Sequence, residues 1–204
     1  MSSPPAAAGG GDLWVVRHAQ TEWSAALRHT GRTDVPLTDR GRQGARALRP
    51  ALAAHRFALV LTSPLRRARE TCELAGFGER AIVDEDLCEW DYGAYEGQTS
   101  AQIRARQPDW DLWRDGCPGG ESLEQVAARA QRVIARARAV GGDAIAFAHG
   151  HILRVLAALW IEAPPAHGAR LMLGAGRIGV LSREHAYWAL GAWNLPAGGE
   201  VPHT

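Results

Sequence analysis

The apolar residues of this chain fall into short continuous runs separated by stretches of helical spacing. Leu13-Trp14-Val15-Val16, Phe57-Ala58-Leu59-Val60-Leu61, Ala81-Ile82-Val83 and Ala144-Ile145-Ala146-Phe147-Ala148 are each bounded by turn-type residues. Runs of this length predict strands over 12–16, 57–61, 81–83 and 143–148, the first of them buried. Between them, apolar positions recur every three or four residues. Thr38-Asp39 reads as a helix start, with Ala45, Leu48, Leu52 and Ala53 at helical spacing up to about residue 54. Ser63-Pro64 predicts a cap followed by proline at the first helical position, with Gly76 and Gly78 as the stop. Glu121-Ser122-Leu123-Glu124 opens a helix whose apolar face carries Val126, Ala130, Val133, Ile134 and Ala137, ended by Gly141-Gly142. A further apolar helix is predicted over 152–161. From about 170 to 194, short β-like runs are broken by Gly174, Gly176 and Gly191, which predicts antiparallel strands at the sheet edge.

Four strands alternating with helices predict an α/β fold. The expected form is a three-layer α/β/α sandwich around a mostly parallel sheet with an antiparallel edge. One domain over 12–204 is expected behind a disordered tail, 1–11, of Ser, Pro, Ala and Gly. The periodicity breaks down over 84–120, where Trp90, Tyr92, Tyr95, Trp110 and Trp113 stand among polar residues. An excursion this long inside a compact domain is usually functional, and it reads as a cap-like insertion.

Composition narrows the function classes. A formal charge of +1 over 204 residues offers no field for a polyanion or an anionic membrane, so neither nucleic acid nor membrane is expected as a partner. All 23 residues of the Lys+Arg count are Arg, so any phosphate grip must come from guanidinium or imidazole groups. The three cysteines are odd in number and form no Cys-x-x-Cys, which argues against a disulfide framework or zinc site and fits a reducing cytoplasm. No apolar run approaches the roughly 20 residues of a membrane span. Residues 2–11 lack the basic start and apolar stretch of a signal peptide. The apolar C-terminal strands could pair across a homodimer.

In open parallel sheets, ligands bind outside the carboxyl ends of the strands. There, the first strand delivers Arg17-His18. The second delivers Ser63 and, one helical turn on, Arg67. The third leads to Glu85 or Glu89, and the fourth to His149. Each has a plainer explanation. A lone histidine after a strand is often a polar loop residue, and Arg66-Arg67-Ala68-Arg69-Glu70 could be a solvated helix face. Taken together they suit phosphoryl transfer. A neutral imidazole can carry the phosphoryl group, guanidiniums stabilise its spread charge, and a carboxylic acid protonates the leaving alkoxide. His149-Gly150-His151 resembles a chelating pair. A strand-end His-x-His sends its rings to different sides, however, and converging arginines would repel a cation, so neither metal nor cofactor is expected.

These residues also carry a resemblance. Arg17-His18-Ala19-Gln20-Thr21-Glu22-Trp23-Ser24, Ser63-Pro64-Leu65-Arg66-Arg67-Ala68-Arg69-Glu70-Thr71, Glu89-Trp90-Asp91-Tyr92-Gly93-Ala94-Tyr95-Glu96-Gly97 and Ala148-His149-Gly150 follow one another in order. Each resembles a motif of the histidine phosphatase superfamily, also called phosphoglycerate mutase-like. The motifs are most similar to actinobacterial acid-phosphatase-like and sedoheptulose-bisphosphatase-type members. The resemblance implies a phosphorylated nucleophile at His18, a phosphate pocket of Arg17, Arg67 and His149, and a proton donor at Glu89. It also implies substrate contacts at Ser24, Thr30, Gly31, Tyr92 and Gly150. Two departures stand out: Ala19 replaces the usual Gly, which needs a negative φ there, and Ser24 replaces the usual Asn. The expected activity is hydrolysis of a small phosphorylated metabolite. The alternatives are a cofactor-dependent phosphoglycerate mutase and, more remotely, a non-catalytic phosphate-binding regulatory protein.

Overall fold

The computed structural model describes residues 10–198. Its centre is a six-stranded sheet in the order β3-β2-β4-β1-β5-β6. The strands are β1 Leu13–Arg17, β2 Phe57–Thr62, β3 Ile82–Val83, β4 Asp143–Ala148, β5 Ile178–Glu184 and β6 Tyr187–Leu195. β3, β2, β4 and β1 are mutually parallel, and β5 and β6 run antiparallel at one edge. This is the expected mixed α/β sheet.

Alternation along the strands sends their side chains to two cores. Leu13, Val15, Leu61 and Ala146 pack with helices α7 (Leu123–Ala139) and α8 (Gly150–Trp160). Trp14, Val16, Val60 and Phe147 face the other way, against Leu48, Leu52, Cys72 and Phe77. That second layer holds α2 (Asp39–Ala47), α3 (Arg49–Ala53) and α4 (Arg66–Leu74). α8 is buried nearly all round, consistent with its apolar composition. α7 buries Val126, Ala130, Val133, Ile134 and Ala137, the predicted face. A Ser122–Gln125 capping box starts it.

Three local expectations change. The helix expected from Thr38 to about 54 divides at Leu48, because Pro50 has no N–H to continue the first helix and instead begins the second. Ser63 is not the N-cap of α4: Leu65 takes that position, without a side-chain cap, and the helix begins at Arg66. The last long helix opens at Gly150, directly after His149, rather than at 152. Of the expected tail 1–11, residues 1–9 lie outside the described residues. Gly11 and Asp12 lie against Gly142 and Asp143, where Asp12 N–H donates to Asp143 Oδ1 at 2.9 Å.

The segment 84–120 contains one-turn helices α5 (Ser100–Arg104) and α6 (Leu112–Asp115). Trp90, Tyr92, Tyr95 and Trp110 are buried and join the core formed with α7 and α8. The insertion therefore packs into the domain and supplies one wall of the cavity described next.

Candidate active site

Strand register sets the centre of the site. Arg17 pairs with Ala148, and Thr62 with Phe147, so β1, β4 and β2 end at almost the same level. The next residue in each chain segment is His18, His149 and Ser63. Neighbouring strands lie about 4.8 Å apart, and the rings of His18 and His149 are 5.2 Å apart between centroids. His18 N–H donates to Ala148 O at 2.8 Å, and Ser63 N–H to Phe147 O at 2.9 Å.

Hydrogen bonds assign the protons. His18 Nδ1 lies 2.8 Å from Ala19 O. A carbonyl only accepts, so Nδ1 carries the proton and Nε2 keeps its lone pair. Burial, then Arg67 and Arg17, hold His18 well below the ordinary imidazole value. His149 is arranged the other way round. Its Nδ1 accepts from Arg67 Nε at 3.1 Å, so Nε2 holds the proton and donates to Ser63 Oγ at 2.7 Å. Burial, followed by Arg67, also keeps His149 neutral.

The two guanidiniums are placed by different elements. Arg17 ends β1 and lies over the start of α8. A Cβ on Gly150 would stand 3.3 Å from its Cζ, so the bare backbone there permits the approach. Arg17 Nη1 donates to Leu173 O, and Nε is buried without an acceptor among the described residues. A buried donor of this kind beside an imidazole lone pair suits an anion. Arg67, in the first turn of α4, is fully buried and donates to Thr33 O, Thr30 O and Gly31 O as well as to His149.

Glu89 completes the group. Its Oε1 accepts from Trp90 N at 3.0 Å and Ile152 N at 2.9 Å, and Oε2 accepts from His151 N at 3.0 Å. The carboxylate thus takes two free amides of α8, where the helix dipole favours negative charge. Arg129 of α7 pins the same segment through Asp86 O and Cys88 O, and pairs with Glu121 at 2.8 Å. Of the two carboxylates that topology left open, Glu89 therefore reaches the site. Glu85 instead accepts from Cys88 Sγ.

A cavity of about 530 Å³ opens over this centre. Arg17, His18, Ser24, Thr30, Glu89 and Tyr92 line it, whereas Arg67, His149, Gly31 and Gly150 do not reach its wall. Arg67 and His149 sit behind His18 with no exposed surface. Ser24 is engaged locally: it caps the one-turn helix α1 (Glu22–Ala25) in a reciprocal box with Thr21. Gly31 is held by Glu96, whose carboxylate accepts from Gly31 N and Thr33 N at 2.9 and 3.1 Å. Ala19, the departure that required a negative φ, is absent from the positive-φ positions.

Sequence reasoning gave no role in the site to three contributors. Ser63 orients His149, and the structure uses its hydroxyl there instead of as a helix cap. His29 and His151 stand on the cavity wall. His151 Nδ1 lies 2.6 Å from Tyr92 OH, and burial holds that phenol well above its ordinary value. The motif that flagged His149 also contained His151, but only as half of a chelating pair. Among the described residues no group of three or more His, Cys, Asp or Glu side chains is placed to hold a metal ion.

Comparison with known proteins accords with this geometry. The sequence profile of the histidine phosphatase superfamily (branch 1) matches residues 13–196. An acid phosphatase of Mycobacterium tuberculosis is 39% identical over 187 residues, covering 90% of this chain and 92% of the relative. Sedoheptulose 1,7-bisphosphatase of Saccharomyces cerevisiae is 38% identical over 178 residues, 72% of this chain and 66% of the relative. A solved structure of an open reading frame product of Mycobacterium tuberculosis superposes with a TM-score of 0.85 at 38% identity, covering 92% and 98% of the two chains.

Proposed function

We propose, for a chain that belongs to the histidine phosphatase superfamily, that it hydrolyses phosphomonoesters of a small metabolite through a phosphohistidine at His18. The observation that carries this reading is the state of His18. Its Nδ1 proton is committed to Ala19 O, and its Nε2 lone pair is free beside two guanidiniums. That is an activated nucleophile with its anion-stabilising groups already in place.

The residues divide the work as follows. Nε2 of His18 forms a bond to phosphorus as the bond to the alcohol oxygen breaks. Arg17 takes the non-bridging oxygens through its unpaired Nε. Arg67 supplies charge from behind and holds His149 as a neutral ring. Glu89 gives the leaving oxygen a proton from Oε2, which accepts one amide where Oε1 accepts two. In the second half Glu89 takes a proton from water, the water oxygen bonds to phosphorus, and the nitrogen–phosphorus bond breaks to release phosphate. No step needs a metal. Three buried free thiols suit a reducing cytoplasm, where we place the enzyme. β6 is the free antiparallel edge through which two copies would pair.

A phosphorus NMR time course tests the reading on 3-phosphoglycerate with and without 2,3-bisphosphoglycerate, several sugar phosphates and an aryl phosphate, with His18→Ala alongside. Free phosphate formed by the intact protein alone is expected. Interconversion of 3- and 2-phosphoglycerate with little free phosphate would make it a mutase instead. Binding without turnover would make it a phosphate-binding module.

A further inference from the structure

The phosphate centre occupies one end of the cavity, and the rest of its wall determines which alcohol is accepted. That wall comes from two segments zipped together by their backbones. His29 N–H donates to Gln98 O, Gly97 N–H donates to His29 O, and Arg28 pairs with Thr99 as an isolated antiparallel bridge. On one segment, Ala26 and Leu27 present apolar surface. Leu27 is 80% exposed and has φ +56, a costly conformation for a branched side chain. On the other segment stands Ala101, in α5.

Apart from Arg17, Glu89 and Arg28, the polar groups of the wall are neutral. Tyr92 OH lies 2.6 Å from His151 Nδ1, and His151 Nε2 has no hydrogen-bond partner among the described residues. His29 packs on the Tyr92 ring at 4.8 Å between centroids and bonds Ser100 Oγ through Nε2. Burial lowers both imidazoles from their ordinary value, that of His151 further. Of the charged side chains lining the cavity, Arg17 and Glu89 belong to the phosphate end. Arg28 remains, exposed at the rim and bonded to Gly97 O at 3.5 Å.

We infer that this site takes monophosphate esters of uncharged alcohols, and discriminates against substrates whose alcohol carries a second phosphate or a carboxylate. The inference rests on the phosphatase reading above and narrows it. A hydroxyl on the alcohol, which can donate or accept, finds the free imidazole Nε2 of His151, and its carbon skeleton finds Leu27, Ala26 and Ala101. A second anion would be desolvated along a wall that offers it no buried cation, and it would face the carboxylate that Glu89 becomes after proton transfer. An unpaired charge in such surroundings is costly enough to lower kcat/KM by about tenfold or more.

The experiment compares kcat/KM for glycerol 3-phosphate and a hexose monophosphate with that for 3-phosphoglycerate and a hexose bisphosphate. Para-nitrophenyl phosphate serves as the reference for phosphoryl chemistry. The neutral alcohols are expected to lead their anionic counterparts by about tenfold or more. Leu27→Arg is expected to shrink that ratio. Anionic esters that match or exceed the neutral ones overturn the inference, as does a ratio that Leu27→Arg leaves untouched. If the bisphosphate leads and Arg28→Ala removes the lead, Arg28 is a second-anion site and the inference is wrong. If the aryl ester itself is not hydrolysed, the phosphatase reading fails and this inference falls with it. Hydrolysis of the aryl ester without discrimination sinks the inference alone.

Discussion

Arg67 donates from Nε to His149 Nδ1 across 3.1 Å, with both side chains shut off from solvent. A guanidinium has no acceptor, so this bond decides that His149 carries its proton on Nε2. The proton then faces Ser63 Oγ at 2.7 Å, which ties the ends of β2 and β4 together through one ring. Arg67 acts on His18 as well, since its charge is the second cause, after burial, of the low proton affinity of the nucleophile.

Replacing Arg67 with lysine keeps the charge and loses the fork. Lysine cannot reach His149, Thr30, Gly31 and Thr33 together, and buried carbonyls are left without donors. Arg67→Lys is expected to lower kcat/KM by about 10²–10³-fold and stability by roughly 2–4 kcal/mol. Steady-state kinetics and urea unfolding check both. A variant that unfolds like the parent would show that the loop carbonyls do not depend on this side chain.

Gly31 is where the same loop tolerates no side chain. A Cβ there would stand 2.7 Å from both Glu96 Oε2 and Trp90 O. Gly31→Ala must push the 30–33 loop away from Arg67, with an expected loss of about 1–3 kcal/mol and a fall in kcat without a matching rise in KM. If kinetics and melting temperature are both unchanged, the loop has slack that the geometry does not show.

Glu89→Gln separates the proton donor from the helix cap. Its side-chain oxygen can still accept from α8, but it has no carboxyl proton to give. On alkyl phosphates the expected loss is about 10²–10⁴-fold; on aryl phosphates, whose leaving group needs little protonation, it is far smaller. Equal losses on the two classes would remove Glu89 from that role.

The neutral histidines also make stability depend on pH. Burial, joined by Arg67 and Arg17 for His18, by Arg67 for His149 and by Arg154 for His151, holds all three well below 6.5. The unfolded chain binds these protons near pH 6.5; the native protein does so only at a much lower pH. Their contribution is therefore complete above about pH 6.5 and drains as pH falls below it, at about 1.4 kcal/mol per pH unit for each ring. Melting temperature measured from pH 7.5 to 5 should drop steadily, before carboxylates with ordinary values begin to titrate. A flat profile over that window would contradict the buried neutral rings. Because the nucleophile stays unprotonated there, kcat/KM should show no acid limb at pH 6.5 that belongs to His18.

The strands and α7 were legible because their signals are local. A short apolar run bounded by turn residues has few alternatives, and Ser122 with Gln125 caps α7 as its sequence spacing allows. The site was legible in part. His18, Arg17, Glu89 and Tyr92 lie on the cavity, as their motifs suggested, while Ser24 spends its hydroxyl on Thr21 and Gly31 spends its carbonyl on Arg67. Ser63 was misread because Ser-Pro is a sound helix start in isolation. The bond that claims its hydroxyl comes from His149, 86 residues away in the chain.

By itself the sequence determined that strands alternate with helices, and hence that His18, Ser63 and His149 each follow a strand. Those features depend on neighbours a few residues apart, which any reading of spacing and capping can weigh. The tertiary structure alone decided that Arg17 aligns with Ala148 and Thr62 with Phe147, so that the three residues meet. It also decided which nitrogen of His18 and of His149 holds the proton, and that His29 and His151 face the cavity. Register, burial and hydrogen-bond partners are set between segments far apart in the chain, where spacing along the sequence carries no information about distance in space.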